Sequence, residues 1–151
     1  MAPLTLKLDD LGQHVGEQLG ASSWHEVTQD QVGLFADATG DHQWIHLDPE
    51  RAASGPFGGT VAHGFLTLSM APLLVAEVVG VADASVTINY GLNKVRFPAP
   101  LPVGAEWRGG LELSEVSEIP GGAQMKLHVT IEVKGSEKPC LVADALVRVY
   151  G

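Results

Sequence analysis

Two residues able to handle protons lie five positions apart in the segment from Phe35 to His46. Asp41 directly follows Gly40, a glycine placed like the end of a helix, and His46 lies further along the same short loop. A carboxylate and an imidazole on one loop can reach the same water molecule and exchange protons with it. Two other interpretations stay open on spacing alone: Asp41 could cap the turn after the helix, and His46 could be a core histidine bonded to backbone.

A second motif, Ala62-His63-Gly64, opens the longest apolar run of the chain. Gly64 stands where a helix should begin, so its N–H is among those that the helix leaves unpaired. Such an amide can stabilise negative charge on a carbonyl oxygen, and adding water to an activated double bond needs this as well as acid–base groups. Gly64 could instead merely let the helix approach the loop closely. We interpret His63 as structural rather than catalytic.

The elements before this motif are predicted as short helices and loops. Thr28 followed by Gln31 is a capping-box pattern, and apolar residues at helical spacing then predict a helix over residues 29–39. Residues 41–48 are predicted as a loop, after which Pro49 can start a helical turn. Before residue 24 the pattern is weak and indicates a loop or a short edge strand.

The second half of the chain combines one apolar helix with several strands. Residues 65–79 are apolar on nearly every face, which predicts a buried helix, bent near its middle by Pro72. Alternating apolar and polar residues then predict antiparallel strands with one dry face. The predicted strands cover 86–90, 94–97, 107–119 with a bulge, 125–133 and 141–149. The sheet must curl round the helix, so the fold class is α+β.

Composition narrows the class of protein. The chain has 151 residues, a formal net charge of −9 and a pI near 4.9, which predicts one domain over 1–151 with neither a nucleic-acid nor an anionic-membrane surface. The N-terminus lacks signal-peptide features, and residues 65–81 are too short to span a membrane. Cys140 is alone, which favours a small buried hydrophobe and a reducing, cytoplasmic location.

Three ordered motifs resemble those of the MaoC-like hydratase/dehydratase family, which includes the R-specific enoyl-CoA hydratases and has the hot dog fold. They are Gly40-Asp41-x4-His46, Ala62-His63-Gly64-Phe65-Leu66 and the segment from Val95 to Gly104. The resemblance covers about Val27 to Val149. It implies a curved antiparallel sheet wrapped around a central apolar helix, and a homodimer with the substrate tunnel near the subunit interface.

The resemblance also implies roles for individual residues. Asp41 would act as base toward the catalytic water, His46 would orient that water and take part in proton transfer, and the Gly64 N–H would polarise the thioester carbonyl. Many members of the family have Asn-Pro where this chain has Gln43 and Trp44, which affects the expected loop geometry and acyl preference. Which residue delivers the α proton stays open.

Three further residues are candidates for substrate binding. Ser69 could line the acyl pocket one helical turn beyond Gly64, or could bond back to its own helix. Lys94 and Arg96 share one strand face and could hold coenzyme A phosphates, although such pairs are often merely solvated. The remaining histidines show no metal-ligand spacing, so we expect no metal, and no cofactor beyond the coenzyme A of the substrate.

The predicted function is reversible hydration of a trans-2-enoyl-CoA to the (R)-3-hydroxyacyl-CoA. The R outcome rests on the resemblance alone. Three alternatives remain: a (3R)-hydroxyacyl-carrier-protein dehydratase of fatty-acid elongation, which would use the same residues; a hot dog thioesterase; and a non-catalytic acyl-CoA binding subunit, which would need neither Asp41 nor His46.

Overall fold

The computed structural model describes residues 2–151 as one main antiparallel sheet with helices packed against it. Its strands are β1 (Leu4–Leu6), β2 (Gln18–Ala21), β3 (His25–Glu26), β4 (Val79–Val81), β5 (Val86–Arg96), β6 (Glu106–Ile119), β7 (Gly122–Val133) and β8 (Leu141–Tyr150). Its helices are a 3-10 helix (Leu8–His14), α1 (Gln29–Thr39), α2 (Trp44–Leu47), α3 (Pro49–Ala53), α4 (Gly64–Ser69) and α5 (Ala71–Val78). The main sheet has the order β2-β6-β7-β8-β5, with β3 pairing β6. The predicted α+β class with a curved sheet is confirmed.

The strand predictions hold closely where alternation is regular. On β7 every second side chain from Ala123 to Val133 is buried, and β7 pairs antiparallel with both β6 and β8. The predicted bulge in β6 lies between Leu113 and Glu115, where the register against β7 shifts. The two short runs at 86–90 and 94–97 form one strand, β5, with two register shifts. These shifts explain why its alternation changes phase.

The long apolar segment differs from its prediction in two ways. It forms two helices, α4 and α5, divided at Met70, and Pro72 lies in the first turn of α5, where its missing N–H breaks no helical bond. The prediction of one continuous helix was therefore wrong. Burial is also incomplete, because Phe65 is 70% exposed and Leu73 is 47% exposed, whereas the next residue, Leu74, is fully buried.

One other prediction needs correction, and one is met in part. The loop predicted over 41–48 contains the helical turn α2, whose backbone closes with a hydrogen bond from Asp48 N to Trp44 O. The weakly patterned start of the chain does contain a short edge strand, β2, and it adds a 3-10 helix and the strand β1, which pairs in parallel with β4. These elements are too short for the hydrophobic periodicity of the sequence to reveal them.

The core lies between the sheet and α5. Leu74 packs against the backbone of β6 at Gly109, where an added Cβ would overlap the Leu74 side chain. Cys140 is buried as predicted, and burial raises the pKa of its thiol to about 12. No helix within residues 2–151 is long and apolar enough to cross a membrane.

A hydrogen-bonded histidine–glutamate pair joins α5 to the strand β3. Glu77 accepts hydrogen bonds from His25 at 2.7 Å and from Ser23 at 2.9 Å. Burial acts to raise the pKa of Glu77, but the bonds from His25 and Ser23 outweigh it and hold that pKa below its usual value. A carboxyl group whose pKa is lower in the folded than in the unfolded state stabilises the fold at pH values above its unfolded-state pKa. This stabilisation is lost as the pH falls through its folded-state pKa.

We therefore expect Glu77→Gln to lower the free energy of unfolding at pH 7, and the difference from wild type to shrink as the pH falls below 4.5, the pKa of an unperturbed Glu. Urea unfolding at a series of pH values measures this. Glu118→Gln, at the exposed end of β6, is the matched control and should show no such trend. A wild-type advantage that stays constant down to acid pH would contradict the expectation.

Candidate active site

A cavity of about 450 Å³ opens where α1, α2, α4 and the residue after β5 meet. It is lined by Phe35, Thr39, Asp41, His46, His63, Gly64, Phe65 and Phe97. The structure thus brings the three predicted catalytic residues to one cavity. It also adds apolar neighbours to which the motifs assigned no role, Phe97 above all.

Local structure explains the position of Asp41. Helix α1 begins at the predicted cap, with Thr28 Oγ1 accepting from Gln31 N, and ends at Gly40, whose φ of +86° is left-handed and suits glycine. Asp41 follows this stop with its side chain 52% exposed. Its Oδ1 accepts a long bond of 3.3 Å from Gln43 N, so the capping interpretation is met in part, while Oδ2 faces His46.

The imidazole of His46 is buried and held in one tautomer. Its Nδ1 lies 2.7 Å from the backbone oxygen of Val61. A carbonyl only accepts, so Nδ1 carries the hydrogen, and in the neutral ring Nε2 bears a free lone pair. Nε2 lies 4.0 Å from Asp41 Oδ2. The two acceptors are therefore close enough for one water molecule to donate a hydrogen to each.

The backbone of His46 is fixed by a residue that sequence reasoning missed. Gln29 donates from Nε2 to the backbone oxygen of His46 at 2.7 Å, and its Oε1 accepts from Thr60 Oγ1 at 2.8 Å. This amide joins the start of α1 to the segments that carry His46 and Val61. In the sequence Gln29 is only the first residue of a helix, and no local pattern marks its contacts.

Gly64 is the first residue of α4, and its N–H forms no hydrogen bond within residues 2–151. It lines the cavity beside Asp41 and His46. Close approach matters as well, because a Cβ at Gly64 would lie 3.2 Å from the ring of Phe97. Both interpretations of this glycine therefore have structural support.

His63 has more contacts with the site than we expected. Its Nε2 lies 3.0 Å from the backbone oxygen of Asp41, and its ring stacks on that of His46 at 3.9 Å between centroids. Phe35 packs against the same ring at 4.9 Å. The residue is 2% exposed.

The predicted substrate-binding residues lie outside this cavity. Ser69 is exposed, donates to its own helix at Phe65 O over 2.6 Å, and lines a second cavity one turn further along. Lys94 and Arg96 are exposed near the end of β5, and Arg96 bonds to the backbone oxygen of Val95. Phe97, the next residue, reaches the cavity that holds Asp41.

The departure from the family motif is accommodated in the backbone. Trp44 occupies the first position of α2, the position at which a proline also fits. Its indole packs outward against the Arg51 guanidinium at 4.2 Å and close to Gly55. Trp44 therefore does not line the cavity.

One ligand-type atom each from Asp41, His46 and His63 lies within 4.8 Å of the others, a donor set that zinc can use. The spacing argument did not find this set because His63 lies far along the chain. His42, next to Asp41, turns instead to Asp37 at 3.0 Å, and that hydrogen bond raises the pKa of its imidazole.

A curved antiparallel sheet packed against a helix is the hot dog fold, which the structurally similar R-hydratases share. Residues 10–135 match the family model for the MaoC like domain, so the chain belongs to the MaoC-like dehydratase family. The resemblance inferred from the motifs is confirmed.

Individual relatives agree with this membership. The 3-hydroxyacyl-thioester dehydratase Z of Mycobacterium tuberculosis is 54% identical over 140 residues, which are 92% of this chain and 93% of the relative. The 3-hydroxybutyryl-CoA dehydratase of Methylorubrum extorquens is 32% identical over 124 residues, 82% of this chain and 74% of the relative. The structure of the (R)-hydratase from A. caviae involved in PHA biosynthesis matches with a TM-score of 0.73 at 24% identity, covering 88% of this chain and 94% of that chain.

Proposed function

We propose that this dehydratase interconverts a trans-2-enoyl-CoA and water with the (R)-3-hydroxyacyl-CoA. The observation that carries the proposal is the 4.0 Å separation of Asp41 Oδ2 and His46 Nε2 in a cavity that also holds the unbonded Gly64 amide. The names of the two dehydratase relatives support a 3-hydroxyacyl thioester, and one of them names coenzyme A.

The proposed chemistry uses each group according to its hydrogen-bonding capacity. A water donates one hydrogen to Asp41 and one to His46, so that its oxygen lone pair points at the substrate. Asp41 takes a proton as the oxygen bonds to C3, and the electron pair of the double bond moves to the thioester oxygen. The Gly64 N–H stabilises that oxygen. The electron pair then returns to C2, which takes up one proton, and Asp41 releases the proton that it accepted, so that the net change is the addition of one water molecule.

The second cavity gives Ser69 its proposed role. It has a volume of about 210 Å³ and is lined by Leu68, Ser69, Ala71, Pro72, Asn89, Gly91, Leu92, Ala145, Leu146 and Val147. This mostly apolar lining suits the acyl chain of the substrate. The Ser69 hydroxyl, already bonded to its own helix, would then contribute shape rather than a hydrogen bond.

The deciding experiment is a chain-length series of trans-2-enoyl-CoA substrates with chiral analysis of the product. Loss of enoyl absorbance with an intact thioester and an R product would support the proposal. Release of free thiol would instead indicate a thioesterase, and faster turnover of matched carrier-protein thioesters would indicate the elongation enzyme. Binding without turnover would indicate a non-catalytic subunit.

Lys94 and Arg96 are proposed to attract the coenzyme A phosphates. We expect the double variant Lys94→Gln/Arg96→Gln to raise KM for enoyl-CoA about 2- to 30-fold with kcat unchanged, since exposed charge pairs contribute about 0.2–1 kcal/mol each. Steady-state kinetics at two salt concentrations tests this, because screening should shrink the difference. Lys138→Gln, on the β7–β8 turn, is the control. An unchanged KM at low salt would remove this role.

A homodimer is also proposed, formed through the edge strand β5. This strand pairs only with β8 in the main sheet, and Val86, Ile88, Tyr90 and Leu92 on it are each 44–55% exposed. Exposed edges with apolar side chains are normally paired or covered. The exposed Leu73 on α5 adds to the apolar surface that a second copy would cover.

Light scattering at micromolar concentration is expected to give twice the 15.9 kDa chain mass for the wild type. Ile88→Lys should shift the protein toward monomer, because a second copy would bury the added charge. Leu34→Lys is the matched control, since Leu34 is 71% exposed on α1 and should leave the dimer intact. A monomeric wild type would refute the proposed dimer but would not contradict the proposed reaction.

The buried, unpaired thiol of Cys140 supports a reducing compartment, and we propose the cytoplasm.

A further inference from the structure

We infer that His63 is a positioning residue that holds Asp41, His46 and Gly64 in one arrangement. The inference rests on the proposed function and extends it to a residue outside the acid–base pair. Each of the three groups is contacted by, or directly bonded to, His63, which is the feature that sets it apart from other residues of the cavity.

The first link is a hydrogen bond to the main chain of Asp41. His63 Nε2 lies 3.0 Å from that backbone oxygen, and because a carbonyl only accepts, Nε2 must carry the hydrogen. This bond ties the residue after Gly40 to the start of α4, which is 22 positions further along the chain. The Asp41 backbone therefore does not depend on the loop alone for its position.

The second link is ring stacking on His46. The two imidazoles lie 3.9 Å apart with planes inclined by 26°. The bond from His46 Nδ1 to Val61 O fixes one edge of the His46 ring but leaves rotation about that bond possible. Stacking on His63 limits this rotation, and so fixes the direction in which Nε2 presents its lone pair toward Asp41.

The third link is covalent, because His63 is joined to Gly64 by a peptide bond. The backbone of His63 is itself held by Thr67, whose N–H and hydroxyl both donate to His63 O, at 3.1 and 3.3 Å. Thr67 is also buried. The amide proposed to bind the thioester oxygen is thus part of the peptide unit of the same residue whose side chain contacts the Asp41 backbone and the His46 ring.

Packing alone does not explain an imidazole at this position. With Nε2 as the donor, Nδ1 of the neutral ring is an acceptor, and it is buried without a partner among residues 2–151. A buried polar atom without a hydrogen bond is destabilising, whereas a phenyl ring would fill similar space without that loss. The hydrogen bond to Asp41 is what an imidazole supplies here and a phenyl ring does not.

The test separates positioning from stability through two variants, His63→Phe and His63→Gln. His63→Phe keeps an aromatic ring against His46 but removes the donor, and we expect unchanged or higher thermal stability with kcat lowered about 10-fold or more. The Kd for butanoyl-CoA, an unreactive saturated analogue, should stay within about 2-fold because the substrate-facing surface is retained.

His63→Gln replaces the donor, since its amide N–H can reach the Asp41 oxygen. Its kcat should exceed that of His63→Phe.

The matched control is His25→Phe, which replaces the histidine stacked on Trp107 at 4.8 Å, outside the cavity. Its kcat for trans-2-butenoyl-CoA should equal that of the wild type. A wild type unable to hydrate any trans-2-enoyl-CoA of the chain-length series would refute the proposed function itself. An active wild type with wild-type kcat in His63→Phe would overturn only the positioning role. A loss of activity in His63→Phe that is explained entirely by a smaller folded fraction would also overturn the positioning role. The same conclusion would follow if a folded His63→Gln had a kcat no higher than that of His63→Phe.

Discussion

Replacing Asp41 by Asn or His46 by Gln is expected to lower kcat by about 10²-fold or more, the usual scale of acid–base catalysis. The asparagine amide introduced at the first position would be too weak a base to take the proton. The glutamine introduced at the second would lack a ring nitrogen able to accept and release one. Asp41 is half-exposed, so losing its charge should cost the fold little. Fold and thioester binding should therefore stay nearly unchanged.

The measurement is hydration of trans-2-butenoyl-CoA under saturating substrate, with circular dichroism and butanoyl-CoA binding as checks on fold and affinity. Asp37→Asn is the matched control for the carboxylate, because Asp37 is exposed on α1 and bonded only to His42 within residues 2–151. Its kcat should match the wild type. Unaltered turnover in either active-site variant would remove that residue from the mechanism.

Substitution of Gly109 should have a large effect on stability. An added Cβ would overlap Leu74, which is fully buried between α5 and the sheet. Forcing extra volume into a packed core costs about 1–3 kcal/mol. We expect Gly109→Ala to lower the free energy of unfolding by an amount in this range, measured by urea denaturation at pH 7.

A double-mutant cycle tests the cause. Leu74→Ala alone should cost about 2–5 kcal/mol through lost burial and the cavity that remains. In Gly109→Ala/Leu74→Ala the new methyl group occupies vacated space, so the double variant should be more stable than the sum of the singles predicts, by about 0.5–3 kcal/mol. Strict additivity would show that the steric contact with Leu74 is not the source of the loss.

Regular patterns made much of this fold predictable from sequence. The alternation on β7, the capping of α1 by Thr28 and its end at Gly40 are local signals, and each is found as expected. The break at Met70 was missed because an apolar run looks the same whether it forms one helix or two. Its exposed face was missed because a sequence does not say which side of an apolar helix lies against the sheet.

In the candidate site, too, the residues marked by a local sequence signal were predicted and those that depend on long-range packing were not. Asp41 and His46 were found because they are close in sequence, and Gly64 because a helix start is readable. The contacts of Gln29 and His63 were not found, since these residues reach the site across 17 and 22 positions and depend on how the helices pack. Chain-distant hydrogen bonds of this kind leave no periodic signal.

The separation of the two cavities along the chain has an evolutionary consequence. Within residues 2–151, the polar side chains that contact Asp41 or His46 come from residues 29–63, whereas the lining of the cavity at Ser69 comes from residues 68–72, 89–92 and 145–147. If the second cavity binds the acyl chain as proposed, substitutions in the second set would change the space for that chain without changing Asp41, His46 or Gly64. Relatives that share the reaction would then be able to differ in the acyl chains that they accept.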